Sequence, residues 1–273
     1  MSNIKSNDML KRLFPAFAIL SAVFLVSCLD TEEKIVINKN NSGIYTVTVD
    51  MSKMLVLFDQ MGQGNKEDLK IPEQKDTTIY FKPFADTSTI LTARERELFK
   101  EGSLRMRTDE VAKELVVILS FPFKHIADLP ELKSSYFTAI NKMGVSDKLK
   151  QNEADSEPDE GLPSDMSTDK NILNPSQDAY AFAAASGKIS NTLIDKELFN
   201  NRMQNDSSMQ MLQQMTMMMG DMNYKTVIVA PGKIKKYKGN QSVLSNDKKT
   251  VTFTTTLSDV LNRPEAAEYN VEY

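Results

Sequence analysis

The chain has one cysteine, Cys28, and it stands directly after an apolar run, Leu13 to Val26, and Ser27. A single thiol allows no internal disulfide, so whatever folds must be held by a hydrophobic core. The run is about as long as the apolar part of an export signal and too short to span a bilayer comfortably. Lys5, Lys11 and Arg12 precede it as a positively charged flank, which makes residues 1–27 a signal peptide. Translation from Met9 would keep Lys11 and Arg12 in place, so either start fits.

Leu25-Val26-Ser27-Cys28 puts a small residue just before the cysteine without an Ala-x-Ala-like cleavage site. These four residues resemble the lipobox of bacterial lipoproteins. The resemblance implies a diacylglycerol on Cys28, cleavage before it and a third acyl chain on the new amino terminus. At about 0.8 kcal/mol per buried methylene, two or three chains anchor far more firmly than one. The implied partner is a membrane, and the implied location is the cell outer membrane, either face being open. Residues 28–33 read as an acidic tether, Leu29-Asp30-Thr31-Glu32-Glu33 following the cysteine. Acidic residues there also resemble surface-export signals of Bacteroidota lipoproteins, and a plain spacer explains them equally.

Charge narrows the partners. Loss of residues 1–27 takes the formal charge from −4 to about −6, which argues against nucleic acid and against polybasic docking on anionic lipid. The 41% hydrophobic content is that of a folded chain, and residues 34–273 suffice for one sizeable domain.

Periodicity predicts an α+β domain of antiparallel sheet covered by helices. Ile35-Val36-Ile37 and Ile44 to Val49 flank a turn at Ser42-Gly43, with Tyr45, Val47 and Val49 on the core side. Asp50 caps a helix carrying Met51, Met54, Leu55, Phe58 and Met61. Thr77 to Phe81 is a strand, and Thr92 with Glu95 has capping-box spacing at the start of a short helix. Ser103 to Thr108 pairs with Glu114 to Phe121, the most apolar β-run, ended by Pro122. Leu129, Leu132, Tyr136 and Ile140 mark a helix laid on that sheet. About 148–176 the chain turns acidic and proline-containing, which predicts a flexible insertion. Tyr180 to Ala185 and Lys188 to Leu193 form a hairpin at Ser186-Gly187, Asp195 to about Met219 the longest helix, and Tyr224 to Leu257 a run of strands.

In that run, Val227-Ile228-Val229-Ala230-Pro231-Gly232-Lys233-Ile234, followed by Asn246-Asp247 and Thr250 to Thr254, resembles the C-terminal strand, Pro-Gly, strand, turn, strand of LppM-like lipoprotein domains. Ser42-Gly43-Ile44-Tyr45, soon after the cysteine, resembles their early turn. The match covers both ends of the mature chain, with Phe253 where the family has tryptophan. It implies an α+β fold with a curved, lipid-binding-like sheet and no agreed enzymatic activity.

Candidate sites are few. Half of the sixteen methionines fall between Met203 and Met222, and Phe199, Met203, Met211, Met215, Met218 and Met222 lie largely on one helical stripe. Such a stripe suits a core-facing helix, and it equally suits an adaptable lining for a hydrophobic ligand. A copper site would want histidine or cysteine beside it, and His125 is the only histidine. No Gly-x-Ser-x-Gly and no phosphate loop occurs. The expectation is therefore a non-enzymatic lipoprotein without cofactor or metal, in a structural or interaction role at the envelope and facing a lipid or an envelope protein. The alternative is a binding module whose Met-rich helix lines an apolar groove.

Overall fold

The computed structural model describes residues 29–53, 55–56, 74–145, 177–205, 210, 213, 216–217 and 220–273. The signal peptide, Cys28, most of the helix expected after Asp50, and the insertion at 148–176 lie outside the described residues.

Twelve strands form two sheets among the described residues. The larger contains β1 (Leu29–Ile37), β2 (Gly43–Asp50), β3 (Gln74–Tyr80), β4 (Ser103–Asp109), β5 (Glu114–Phe123), β8 (Met222–Val229), β10 (Val243–Leu244) and β11 (Thr250–Thr256). Their order is β10-β11-β8-β1-β2-β5-β4-β3. The smaller runs β6-β7-β12-β9, from Tyr180–Ala185, Lys188–Leu193, Tyr269–Glu272 and Lys236–Gly239. Helices are α1 (Lys82–Thr87), α2 (Ala93–Phe99), α3 (Leu129–Lys142), α4 (Lys196–Asn205) and α5 (Leu257–Asn262). The expected α+β class is the observed one. Every neighbouring pair is antiparallel except β1 with β8, a parallel pair that requires a long crossover between them.

The acidic tether is a correction. Leu29 to Glu33 are the first half of β1, hydrogen-bonded between β2 and β8 in the middle of the sheet. The carboxylates that suggest solvation have partners instead. Asp30 accepts from Lys53 at 3.3 Å and Asn223 at 2.8 Å, Glu32 accepts from Lys225 at 2.6 Å, and Glu33 meets Lys133. One smaller difference follows the same ladder. Pro122 lies inside β5 opposite Ile44, because β4 ends its pairing at Ser120 and leaves one edge of β5 free for a residue without an N–H. Among the described residues, α3, at 14 residues, is the longest helix; most of the helix expected from Asp195 to about Met219 beyond Asn205 lies outside them.

Strand alternation sets the core. Tyr45, Val47 and Val49 of β2 are buried as their spacing predicts, with Ile44 45% exposed on the other face. Over the β2, β5 and β4 part of the sheet, α1, α2 and α3 close on a cluster of Tyr45, Phe81, Phe99, Phe121 and Tyr136. Gly43, opening β2, has no room for a Cβ, since the Val36 carbonyl and the Phe123 ring occupy that space.

The capping box forms as spaced: Thr92 Oγ1 accepts from the Glu95 N–H at 3.1 Å, and the Thr92 N–H donates to Glu95 at 2.8 Å. The Lys142 ammonium, at 2.6 Å, and then the Thr92 N–H hold the Glu95 carboxyl below its ordinary value. This contribution is complete above the ordinary carboxylate pKa and is lost as pH falls through the lowered one. Thr92→Ala is expected to cost about 1 kcal/mol in urea melts at neutral pH. Glu95→Gln should flatten the acid limb of stability against pH, and an unchanged limb would mean that the box carries no such load.

Over the β1, β8 and β11 part, the cover is the smaller sheet. Phe253 of β11 stacks on Tyr269 of β12, ring centroids 5.2 Å apart at 16°. Gly239 of β9 lies so close to this pair that a Cβ would stand 3.1 Å from Tyr269 Cβ. The sheets touch at this corner and separate beyond it.

Candidate functional site

Where the sheets separate, a cavity of about 550 Å³ opens. Its walls come from β1, β2, β8 and β11 on one side and β6, β7 and β12 on the other, with α3, α4 and α5 closing the ends. The volume lies within the range of small-molecule sites.

Charge is set into these walls where local sequence rules would place apolar side chains. In β1 the core-facing row is Thr31, Glu33, Ile35 and Ile37, so period-two geometry points the Glu33 carboxylate inward. In α3, Leu129, Lys133, Tyr136 and Ile140 make a buried row, so the Lys133 ammonium takes an apolar position. The two form an ion pair whose side chains are 17% and 7% exposed. Tyr45, diagonal to Glu33 across β1 and β2, donates its hydroxyl to Glu33 Oε1 at 2.9 Å. The Lys133 ammonium lies 5.2 Å from the Phe182 ring centroid and 5.9 Å from that of Tyr45, at cation–π distance.

Tyrosines supply most of the remaining polarity. Burial, then the Glu33 charge, raises both Tyr45 and Tyr269 well above the ordinary phenol value. Burial, then Asp221, pushes Tyr224 up to about 12, and burial, then Glu265 and Glu268, raises Tyr180. All four are neutral hydroxyls near pH 7. Tyr180 spends its proton on the Pro264 carbonyl at 2.7 Å. Tyr269 Oη and Thr255 Oγ1, on cavity-lining residues, are buried without a hydrogen-bond partner among the described residues. At the rim, Lys225, Glu131 and Asp178 are exposed.

The six residues of the stripe part company. Phe199 is fully buried in α4, edge-on to Tyr180 at 6.1 Å and 88°, and lines the cavity; Met203 lies one turn on, half-buried, and lines it too. Met222 is a correction: it opens β8, 1% exposed in the core, away from the cavity lining, because the chain has become a strand there. Met211, Met215 and Met218, like Cys28, lie outside the described residues. His125 is exposed, and its backbone N–H donates to Asp128 at 3.2 Å. Among the described residues no cluster of three histidine, cysteine or acidic side chains suits a metal. No helix among them is long and apolar enough to cross a membrane.

Local sequence rules do not mark Glu33, Lys133, Tyr269 and Thr255 as site residues, and they place Glu33 in a tether. The legible signal was Lys133, a cation in an otherwise apolar helical row. The other three needed the pairing of distant strands.

No protein-family model and no curated protein matches the chain. Among solved structures it is similar to the NMR structure of the folded domain of Mycobacterium tuberculosis LppM, at 7% identity and a TM-score of 0.32, over 92% of each chain.

Proposed function

We propose that this chain is a lipid-anchored envelope protein whose folded part is a non-catalytic binding module for a hydrophobic small molecule. The observation that carries the reading is the cavity between the sheets, with aromatic and aliphatic walls and a few convergent polar groups. A helix packed solidly on strands would have left no such space beneath Phe199 and Met203. Leu25-Val26-Ser27-Cys28 supports the anchor, and β1 starts at the next residue, Leu29. Acylation of Cys28 would then hold the sheet at the bilayer surface without a spacer, within reach of apolar molecules in it.

Photolabelling tests the reading without assuming a headgroup. A diazirine-bearing alkane, added to membranes containing the full chain, is expected to label peptides bearing Phe199, Met203 or Leu261. Leu261→Trp, which builds an indole into the lining, should reduce that labelling about tenfold, as expected for a filled pocket worth about 1.4 kcal/mol or more. Labelling confined to the signal and anchor region would sink the proposal.

A further inference from the structure

The polar groups of the cavity select among hydrophobic ligands. The Glu33–Lys133 pair has no net charge, and both carboxylate oxygens are engaged, one by Lys133 and one by Tyr45. The ammonium is bound by Glu33 and flanked by two rings. A carboxylate or phosphate entering this floor would have to displace Glu33 from Lys133 and strand a buried charge, the costliest event in such a site. A cation would meet a carboxylate already satisfied. The floor therefore disfavours charge of either sign.

Its vacancies are of another kind. Tyr269 Oη and Thr255 Oγ1 are buried hydroxyls with no partner among the described residues; they belong to cavity-lining residues but are themselves covered, so a ligand group reaches them through a small side-chain shift, and each can then both donate and accept. A buried hydroxyl left unpaired costs about 1–3 kcal/mol, which a ligand carrying a hydroxyl or ester oxygen would recover on binding. Tyr269 stacks on Phe253 and lines the same cavity as Glu33 and Lys133.

We infer that the occupant is an apolar molecule whose buried end is polar but uncharged, a hydroxyl or ester such as an acylglycerol carries. This rests on the cavity being a binding site, and the experiment separates the two. Membranes containing the full chain are photolabelled in parallel with the diazirine alkane, a diazirine monoacylglycerol and a diazirine fatty acid of equal chain length. The monoacylglycerol is expected to label cavity peptides about tenfold more than the fatty acid. Tyr269→Phe should lower monoacylglycerol labelling about three- to tenfold relative to alkane labelling of the same variant. The same variant should unfold at an equal or higher urea concentration, because it removes an unpaired buried hydroxyl. A structural role for the hydroxyl would lower that midpoint instead, and that result counts against the inference. Fatty acid labelling equal to or above the monoacylglycerol overturns the uncharged end and leaves the binding reading standing. Failure of all three probes to label the cavity overturns both.

Discussion

Lys133→Met is expected to lower the free energy of unfolding by about 3–5 kcal/mol, because it leaves the Glu33 carboxylate buried with one hydroxyl donor and no counter-charge. The double variant Glu33→Leu with Lys133→Met removes both charges and should return to within about 1 kcal/mol of the parent or exceed it. Urea melts of the four proteins of this cycle give the coupling directly. A near-neutral single variant would show the pair to be solvated, and the uncharged floor would go with it. If the double variant is stable yet no longer favours the monoacylglycerol over the fatty acid, the pair is retained for its selectivity.

Phe121→Ala should cost a similar 3–5 kcal/mol, for a different reason. Phe121 is fully buried at the centre of the aromatic cluster, with ring centroids of Tyr136, Phe99, Phe81 and Tyr45 at 5.6, 5.7, 5.9 and 6.3 Å. Truncation opens a void that Gly102, already tight against Phe81 and Phe121, cannot fill. A shift in urea midpoint below about 1 kcal/mol would mean that the rings collapse into the space, contrary to a close-packed core. Phe121 does not line the cavity, so alkane labelling of the folded variant should be little changed. The two variants thus separate loss of core from loss of site.

Much of the local structure was legible. The capping box at Thr92 and Glu95, the inward row of β2 and the hairpin at Gly187, whose φ of 83° suits glycine, each depend on residues a few positions apart. Hydrophobic alternation and cap chemistry act at that range, so sequence reading reaches them. The acidic start of β1 shows where it stops. Asp30, Glu33 and Glu32 find their cations 23, 100 and 193 positions away, and no local rule distinguishes such carboxylates from solvated ones.

The methionine stripe divides along the same line. Helical spacing grouped Phe199, Met203 and Met222, yet the structure places two at the cavity and one in the core, since α4 gives way to β8 between them. From the sequence by itself came the α+β class, most strand and helix positions, the reading of a Cys28 anchor and the need for a core without disulfides. The tertiary structure decided that β1 lies parallel to β8 in mid-sheet, that a second sheet stands over it, and that Glu33, Lys133 and Tyr269 meet at one cavity, with Tyr45 bonded to Glu33 behind it. Backbone propensity and side-chain period are properties of neighbouring residues, whereas strand partners and buried charge pairs join residues that only the closed chain brings together.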